Sequence, residues 1–142
     1  MNVRSEAAGS ALEAIVLPGM STSPLSSAVV NGHLIFTSGQ TGRKPGAASV
    51  PERFEDQVEL AIENLDRVLG EAGGSLDTVI RTTVYLVDAS DFKSMNTIYA
   101  AHFAAPHPAR STLVVAALAL PELKFEIEAV AIRHPRATEH RR

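Results

Sequence analysis

The sequence predicts an α+β fold in which two helices pack on one face of a mixed β-sheet. Three observations predict it: a β-hairpin signal near the start, two amphipathic helical patterns, and apolar strands between and after those helices. With 142 residues, the chain is long enough for one substantial core. We therefore expect residues 1–142 to form a single domain, with flexible tails at about 1–12 and 134–142.

The first third of the chain predicts three short strands. Residues 14–17 form a short apolar run that ends at Pro18 and Gly19. Residues 28–30 and 34–37 flank the dipeptide Asn31-Gly32. This dipeptide is typical of a type I′ hairpin turn, which requires positive φ at both central residues. After the hairpin, Gly39 and Gly42 predict a turn.

The middle of the chain predicts a helix followed by a strand. Pro51 suits the first turn of a helix, and Gly73-Gly74 supplies its end. Apolar residues recur between them at helical spacing: Phe54, Val58, Ala61, Leu65, Leu69 and Ala72. Residues 77–87 then alternate as a strand whose even positions are the more apolar: Ile80, Thr82, Val84 and Leu86.

The last third predicts one more helix and two strands. Asp88 or Ser90 can cap the helix, and Pro106 and Pro108 end it. Its expected buried stripe consists of Phe92, Met95, Tyr99 and Phe103. Residues 110–118 and 124–132 then form two apolar strands.

The final strand presents two different faces, because side chains alternate across a strand. One face suits the core under the helices: Phe125, Ile127, Ala129 and Ala131. The opposite face holds Glu126 and Glu128, about 6.7 Å apart, together with Val130 and Ile132. These apolar neighbours favour a partner subunit over water. We therefore predict a homo-oligomer, with Arg110 and Glu126 near the subunit boundary.

Composition excludes several classes of function. The formal charge of -3 gives no reason to expect a nucleic-acid partner. The absence of cysteine excludes disulfides and thiolate chemistry, and no metal-ligand spacing of histidines occurs. No apolar run approaches the roughly 20 residues that span a bilayer, and the start lacks a secretory pattern. A cytoplasmic location without membrane contact is expected.

Two charged residues on core strands indicate the chemistry. A buried guanidinium or carboxylate is costly unless it is paired, so Arg110 and Glu126 predict a pocket for a small anion with a base nearby. A structural ion pair of Arg110 with Glu126 or Glu128 is equally compatible with the sequence. Glu126 alone is more often a solvated strand residue, and Asn96 more often fixes a loop than takes part in catalysis.

Several segments, in order, resemble the Rid family of reactive intermediate deaminases (RidA/YjgF-like proteins). The resemblance extends over about residues 24–133. Its motifs are Phe36-Thr37-Ser38-Gly39-Gln40, Asn64-Leu65 with Val68-Leu69, Glu71-Ala72-Gly73, Thr82-Thr83-Val84-Tyr85, Asp91-Phe92, Met95-Asn96, Tyr99, Pro108-Ala109-Arg110-Ser111 and Glu126-Ile127-Glu128-Ala129.

The resemblance implies a chorismate-mutase-like fold and a homotrimer with three clefts between subunits. It also implies hydrolysis of enamines and imines such as 2-aminoacrylate and 2-iminobutanoate to 2-oxo acids and ammonia, without a cofactor. Arg110 matches the family's carboxylate-binding arginine, and a guanidinium fork suits a carboxylate. Glu126 matches the glutamate that orients water, a general-base role.

The remaining site residues also follow from the resemblance. Ser38 and Gly39 match the loop that lines the cleft, while Asn96 and Tyr99 match positions that shape it. Two residues depart from the family pattern: Leu25 replaces a usual tyrosine, and Thr112 replaces a usual cysteine while keeping the substrate-contacting backbone N–H.

Leu25 keeps other functions open. Deamination of a different, bulkier enamine or a non-catalytic carboxylate-binding trimer are both compatible with the sequence. Ribonuclease activity, which has been attached to the family name, finds little support, because no basic stripe with stacking residues is present.

Overall fold

The computed structural model describes residues 12–19 and 23–135, so most of the two predicted tails lie outside the described residues. Seven strands form a single sheet: β1 Leu12–Ile15, β2 Ala28–Asn31, β3 Leu34–Thr37, β4 Gln40–Thr41, β5 Val79–Leu86, β6 Ala109–Val114 and β7 Phe125–Ile132. The two α-helices are α1 Phe54–Glu71 and α2 Phe92–His102. Neither is long and apolar enough to cross a membrane.

The last strand, β7, lies in the middle of the sheet. The order across the sheet is β1-β2-β3-β7-β5-β6, and β4 also pairs with β7. Only β5 and β6 run parallel; the other pairs are antiparallel. Strand β6 follows β5 through α2, so the two parallel strands and the helix form a crossover unit. Strand β6 is the edge strand of the sheet.

The predicted α+β arrangement with helices on one face is confirmed. All six apolar residues of the first predicted helix are buried, and they share one core with the inward side chains of β7. Those inward residues are the predicted ones: Phe125, Ile127, Ala129 and Ala131, each at most 4% exposed. The alternation of burial along β7 is therefore a direct consequence of the helix layer on that side.

The predicted hairpin is present, but its turn is shifted by one residue. Asn31 pairs with Leu34 and ends β2, so Gly32 and His33 are the central turn residues. Gly32 has φ +61°, and no residue other than glycine has positive φ among those described. One positive φ at the first central position is the pattern of a type II′ turn. The predicted type I′ turn is wrong, because the ladder closes one residue later.

Two expected core residues are exposed instead. Ile80 is 46% exposed, because a bulge between Val79 and Arg81 shifts the register of β5 against β7 and turns the side chain of Ile80 outward. Phe92 is 44% exposed, since it begins α2 at the sheet edge beside Arg110 rather than under the helix.

The bounds of several elements also differ from the prediction. Helix α1 begins at Phe54 rather than at Pro51, because Gln57 donates its side-chain amide to the Pro51 carbonyl and holds this segment outside the helix. Strand β6 ends at Val114, and the connection to β7 is irregular. The first strand lies two residues earlier than expected.

The sheet face opposite the helices is uncovered and partly apolar. Leu34 pairs with Ile132 and Phe36 pairs with Val130 across β3 and β7. Leu34, Phe36 and Ile132 are 37%, 45% and 38% exposed. An apolar strip of this kind on one sheet face is typical of a surface that another subunit covers.

Candidate functional site

The side chain of Arg110 lies over the aromatic residues of α2. Its Cζ atom is 4.7 Å from the ring centroid of Tyr99 and 5.9 Å from that of Phe92. One terminal nitrogen donates to Asn96 Oδ1 at 2.7 Å, and the other lies 3.9 Å from Met95 Sδ. Strand β6 supplies the arginine and α2 supplies its support, because the crossover brings α2 against the start of β6.

Most of the Arg110 donors remain available to a ligand. Of the five N–H groups of a guanidinium, one donates to Asn96 Oδ1 and one to Met95 Sδ in the described chain, so three remain open. The side chain is half-buried and forms no ion pair with a described carboxylate. A fixed cation with open donors at a sheet edge can bind a small carboxylate through two parallel hydrogen bonds.

Tyr99 is held in place by its own contacts. Its hydroxyl shares a hydrogen bond of 2.8 Å with Thr82 Oγ1, and its ring stacks on Phe103 with centroids 4.3 Å apart. Burial raises the pKa of the Tyr99 hydroxyl, so the group stays protonated near neutral pH. Tyr99 therefore acts as a rigid neutral platform for the guanidinium.

Thr112 follows Arg110 on the same face of β6. It pairs with Val84 of β5, as Arg110 pairs with Thr82, and its side chain is half-buried. Alternation along the strand thus places Thr112 on the Arg110 side of the sheet.

Glu126 lies on the other sheet face, next to Gly39. A Cβ atom at Gly39 would be 2.6 Å from Glu126 Oε1, so a larger residue there would displace the carboxylate from this position. Burial, and then the negative charge of Glu128, raise the pKa of Glu126. Glu128 itself accepts a hydrogen bond from the Tyr85 hydroxyl. The result is a partly buried carboxylate with enhanced basicity, the property of a general base.

Leu25 and Ser38 line one cavity, and Ser38 directly precedes Gly39, the neighbour of Glu126. Ser38 donates its hydroxyl to the Ser26 carbonyl at 2.6 Å, which ties the loop before β2 to the end of β3. Leu25 is 49% exposed and lines a cavity of about 570 Å³ together with Phe36 and Ser38. Leu25 and Ser38, two of the predicted lining residues, thus share one cavity, and Leu25 contributes an exposed apolar side chain to it.

Within a single chain, Arg110 and Glu126 lie far apart. Arg110 is level with Thr82 on β5, and Thr82 is level with Ala129 on β7. Glu126 is three residues further along β7, so the two Cα atoms are about 14 Å apart and the side chains point to opposite faces. The alternative of an ion pair between Arg110 and Glu126 or Glu128 is therefore wrong within the described chain.

Three residues with supporting contacts were not predicted from the sequence. Phe92 was expected in the core but flanks Arg110, and Met95 contacts Arg110 from the buried stripe. Gln57 is buried and binds the Pro51 and Glu122 carbonyls and the Lys124 N–H. A polar residue on the apolar side of α1 was the available signal for Gln57. Asn96 was expected to fix a loop; it instead binds Arg110.

The architecture assigns the chain to the α+β proteins in which two helices cover one face of a mixed sheet. The sequence profile of one family of such proteins, described as Endoribonuclease L-PSP, matches residues 18–133. Relatives in this family are named reactive intermediate deaminases. The chain belongs to this family, the Rid family.

Individual relatives agree with this assignment. The chain is 44% identical over 109 residues to Reactive Intermediate Deaminase A, chloroplastic, from Arabidopsis thaliana, covering 76% of this chain and 58% of the plant protein. It is 38% identical to the human 2-iminobutanoate/2-iminopropanoate deaminase, covering 81% and 84% of the two chains. The crystal structure of RidA from a Psychrobacter species superposes with a TM-score of 0.79 at 32% identity, covering 84% and 99%. Because the plant relative is chloroplastic by name, the cytoplasmic location stays a prediction.

Proposed function

We propose that this protein hydrolyses 2-imino acids, and the enamines in equilibrium with them, to 2-oxo acids and ammonia. The observation that supports this most directly is the Arg110 guanidinium, held by Asn96 and Tyr99 with most of its donors open. The substrates are of the 2-iminobutanoate and 2-aminoacrylate type, each with a carboxylate beside the reacting carbon. The reaction consumes only water.

In this mechanism Arg110 binds the substrate carboxylate and fixes the position of the imine carbon. Glu126 accepts a proton from water as the water oxygen forms its bond to that carbon. The C=N bond opens as the C–O bond forms, and Glu126 returns its proton to the nitrogen. The hydroxyl of the tetrahedral intermediate then loses its proton to the nitrogen as the C–N bond breaks and the C=O bond forms, so ammonia leaves with both protons of the water. Such imines hydrolyse readily, so orientation of the two reactants is the main contribution required.

The site is proposed to form between subunits of a homotrimer of chorismate-mutase-like chains. Two features support a subunit boundary: the separation of Arg110 from Glu126 within one chain, and the exposed apolar strip around Phe36 and Ile132. One chain would supply Arg110, Asn96, Tyr99 and Thr112. The next would supply Glu126, Ser38, Gly39 and Leu25. Each cleft then contains one carboxylate-binding group and one base.

A second candidate function is deamination of a bulkier enamine by the same residues. The exposed side chain of Leu25 supports it, since Leu25 and Phe36 line the same cavity of about 570 Å³. In the same assay, turnover of imino acids with large apolar side chains but not of 2-iminobutanoate would favour this candidate.

Ammonia release tests the proposed function. 2-Iminobutanoate is generated in the cuvette by an amino acid oxidase, and ammonia is measured with and without the protein. We expect clear acceleration over the uncatalysed hydrolysis. If neither 2-iminobutanoate nor its larger analogues are hydrolysed faster, the deaminase assignment is wrong, and carboxylate binding without turnover becomes the better description.

The rate should depend on the protonation of Glu126. A general base must be deprotonated, so kcat/KM is expected to fall as the pH decreases through the raised pKa of Glu126. Glu128→Gln removes a charge that raises this pKa and can still accept the Tyr85 hydrogen bond. The acidic limb of the pH profile should therefore move to lower pH in Glu128→Gln, measured after subtraction of the uncatalysed rate.

Glu63→Gln is the matched control for this pH shift, because Glu63 lies on α1, away from Glu126. Its profile should coincide with that of the unmodified protein. An acidic limb that stays in place, or moves to higher pH, in Glu128→Gln would contradict the assignment of that limb to Glu126.

A further inference from the structure

A cavity beside α1 is lined by cationic and neutral residues only. It has a volume of about 330 Å³ and lies between β4, the loop that follows it and the outer turn of α1. Its three charged residues are Arg43, Lys44 and Arg67. A group of three cations around one cavity is unexpected in a chain whose formal net charge is -3.

These three cations are not neutralised by ion pairs. Among residues 12–19 and 23–135, the ion pairs involve other cations: Arg53, His102 and Arg133. Glu63 and Glu71 line a neighbouring cavity together with Lys44 and Arg67, but neither carboxylate comes within ion-pair distance. The positive charge in the cavity is therefore available to a ligand.

Hydrogen bonds hold the cavity wall in shape. Asn64 donates its side-chain amide to the Thr41 and Arg43 carbonyls, both at 2.9 Å, and so fixes the loop to α1. Asn64 also accepts from Arg67 Nη2 at 2.7 Å. Arg43 Nε donates to the Ala47 carbonyl at 2.8 Å, so the terminal nitrogens of Arg43 stay open. A cationic wall held in place in this way loses less entropy when it binds an anion.

We propose that this cavity binds the phosphate group of a small metabolite. Two guanidinium forks and one ammonium provide planar, bidentate donors and a point charge, the combination that recognises a phosphate dianion. The volume lies at the lower end of the range for small-molecule sites. No aromatic side chain lines the cavity, so it offers no platform for stacked bases. The site is separate from the proposed catalytic groups, although Gly39 borders both.

Calorimetric titration of the full chain tests the site. The probes are inorganic phosphate and glycerol 3-phosphate, in a phosphate-free buffer of low ionic strength. We expect saturable binding of both. The double variant Lys44→Gln/Arg67→Gln should weaken it by about 10- to 100-fold, since two charged donors at an exposed site together contribute at this scale. Arg53→Gln is the control, because Arg53 is an exposed cation outside the cavity.

Several outcomes would overturn the proposal. Absence of saturable binding, or an equal loss in Arg53→Gln, would show that the cavity is not the site. Equally tight binding of malate would show recognition of charge alone, and tighter binding of a short RNA would identify a different class of ligand. Thermal unfolding and imine hydrolysis of the double variant should stay unchanged, which separates this test from that of the proposed activity.

Discussion

Replacing Arg110 by alanine is expected to lower kcat/KM for imine hydrolysis by about 10²- to 10³-fold. The guanidinium is the group with open donors against which a substrate carboxylate can be fixed, and Asn96 and Tyr99 hold it for that purpose. Without it, the substrate loses both its charge partner and its orientation relative to the water. Initial rates of ammonia release across a range of 2-iminobutanoate concentrations measure the effect.

Two further variants make this result specific. Arg110→Lys keeps the charge but not the planar fork, so we expect an intermediate loss, mostly in KM. Arg53→Ala removes an exposed arginine whose contacts are surface ion pairs, and its rate should equal that of the unmodified protein. Unfolding temperatures show whether each variant is folded. An Arg110→Ala protein that is folded and fully active would refute the assignment.

Much of the fold was predictable because its main elements have strong local patterns. The stripe of α1 and the alternation of β7 are long and regular, and the buried residues are those that the patterns indicate. The features that differ from the prediction depend on how the strands pair with one another in the sheet. The bulge next to Ile80 depends on the register of β5 against β7, and the hairpin turn depends on where the β2–β3 ladder closes. Neither register has a local signal.

The candidate site was predictable in composition but not in arrangement. Arg110 and Glu126 stand out because charged residues on apolar strands are unusual. Their position on opposite faces follows from the strand register, which aligns Arg110 with Thr82 and Ala129, three residues from Glu126. The contact of Phe92 with Arg110 could not be predicted from the sequence either. An aromatic residue at helical spacing has the same pattern whether it enters the core or flanks a cation at the end of the helix.

Arg110 and Glu126 are separated within one chain, so two inactive variants should recover activity when they assemble together. Arg110→Ala and Glu126→Gln should each be nearly inactive alone. When they are mixed in equal amounts and refolded together, each cleft takes its Arg110 side from one chain and its Glu126 side from another. About a quarter of the clefts would then be intact, so activity should rise to roughly a quarter of that of the unmodified protein.

A matched mixture separates this result from simple stabilisation by a partner. Arg110→Ala refolded with the double variant Arg110→Ala/Glu126→Gln has no intact Arg110 in either chain, and it should stay inactive. If the first mixture also stays inactive while both chains fold and assemble, the site does not combine residues of two subunits. An active Glu126→Gln chain would instead remove the base from the mechanism. Recovery in the first mixture alone would require Arg110 and Glu126 to act across a subunit boundary, since about 14 Å of sheet separates them within one chain.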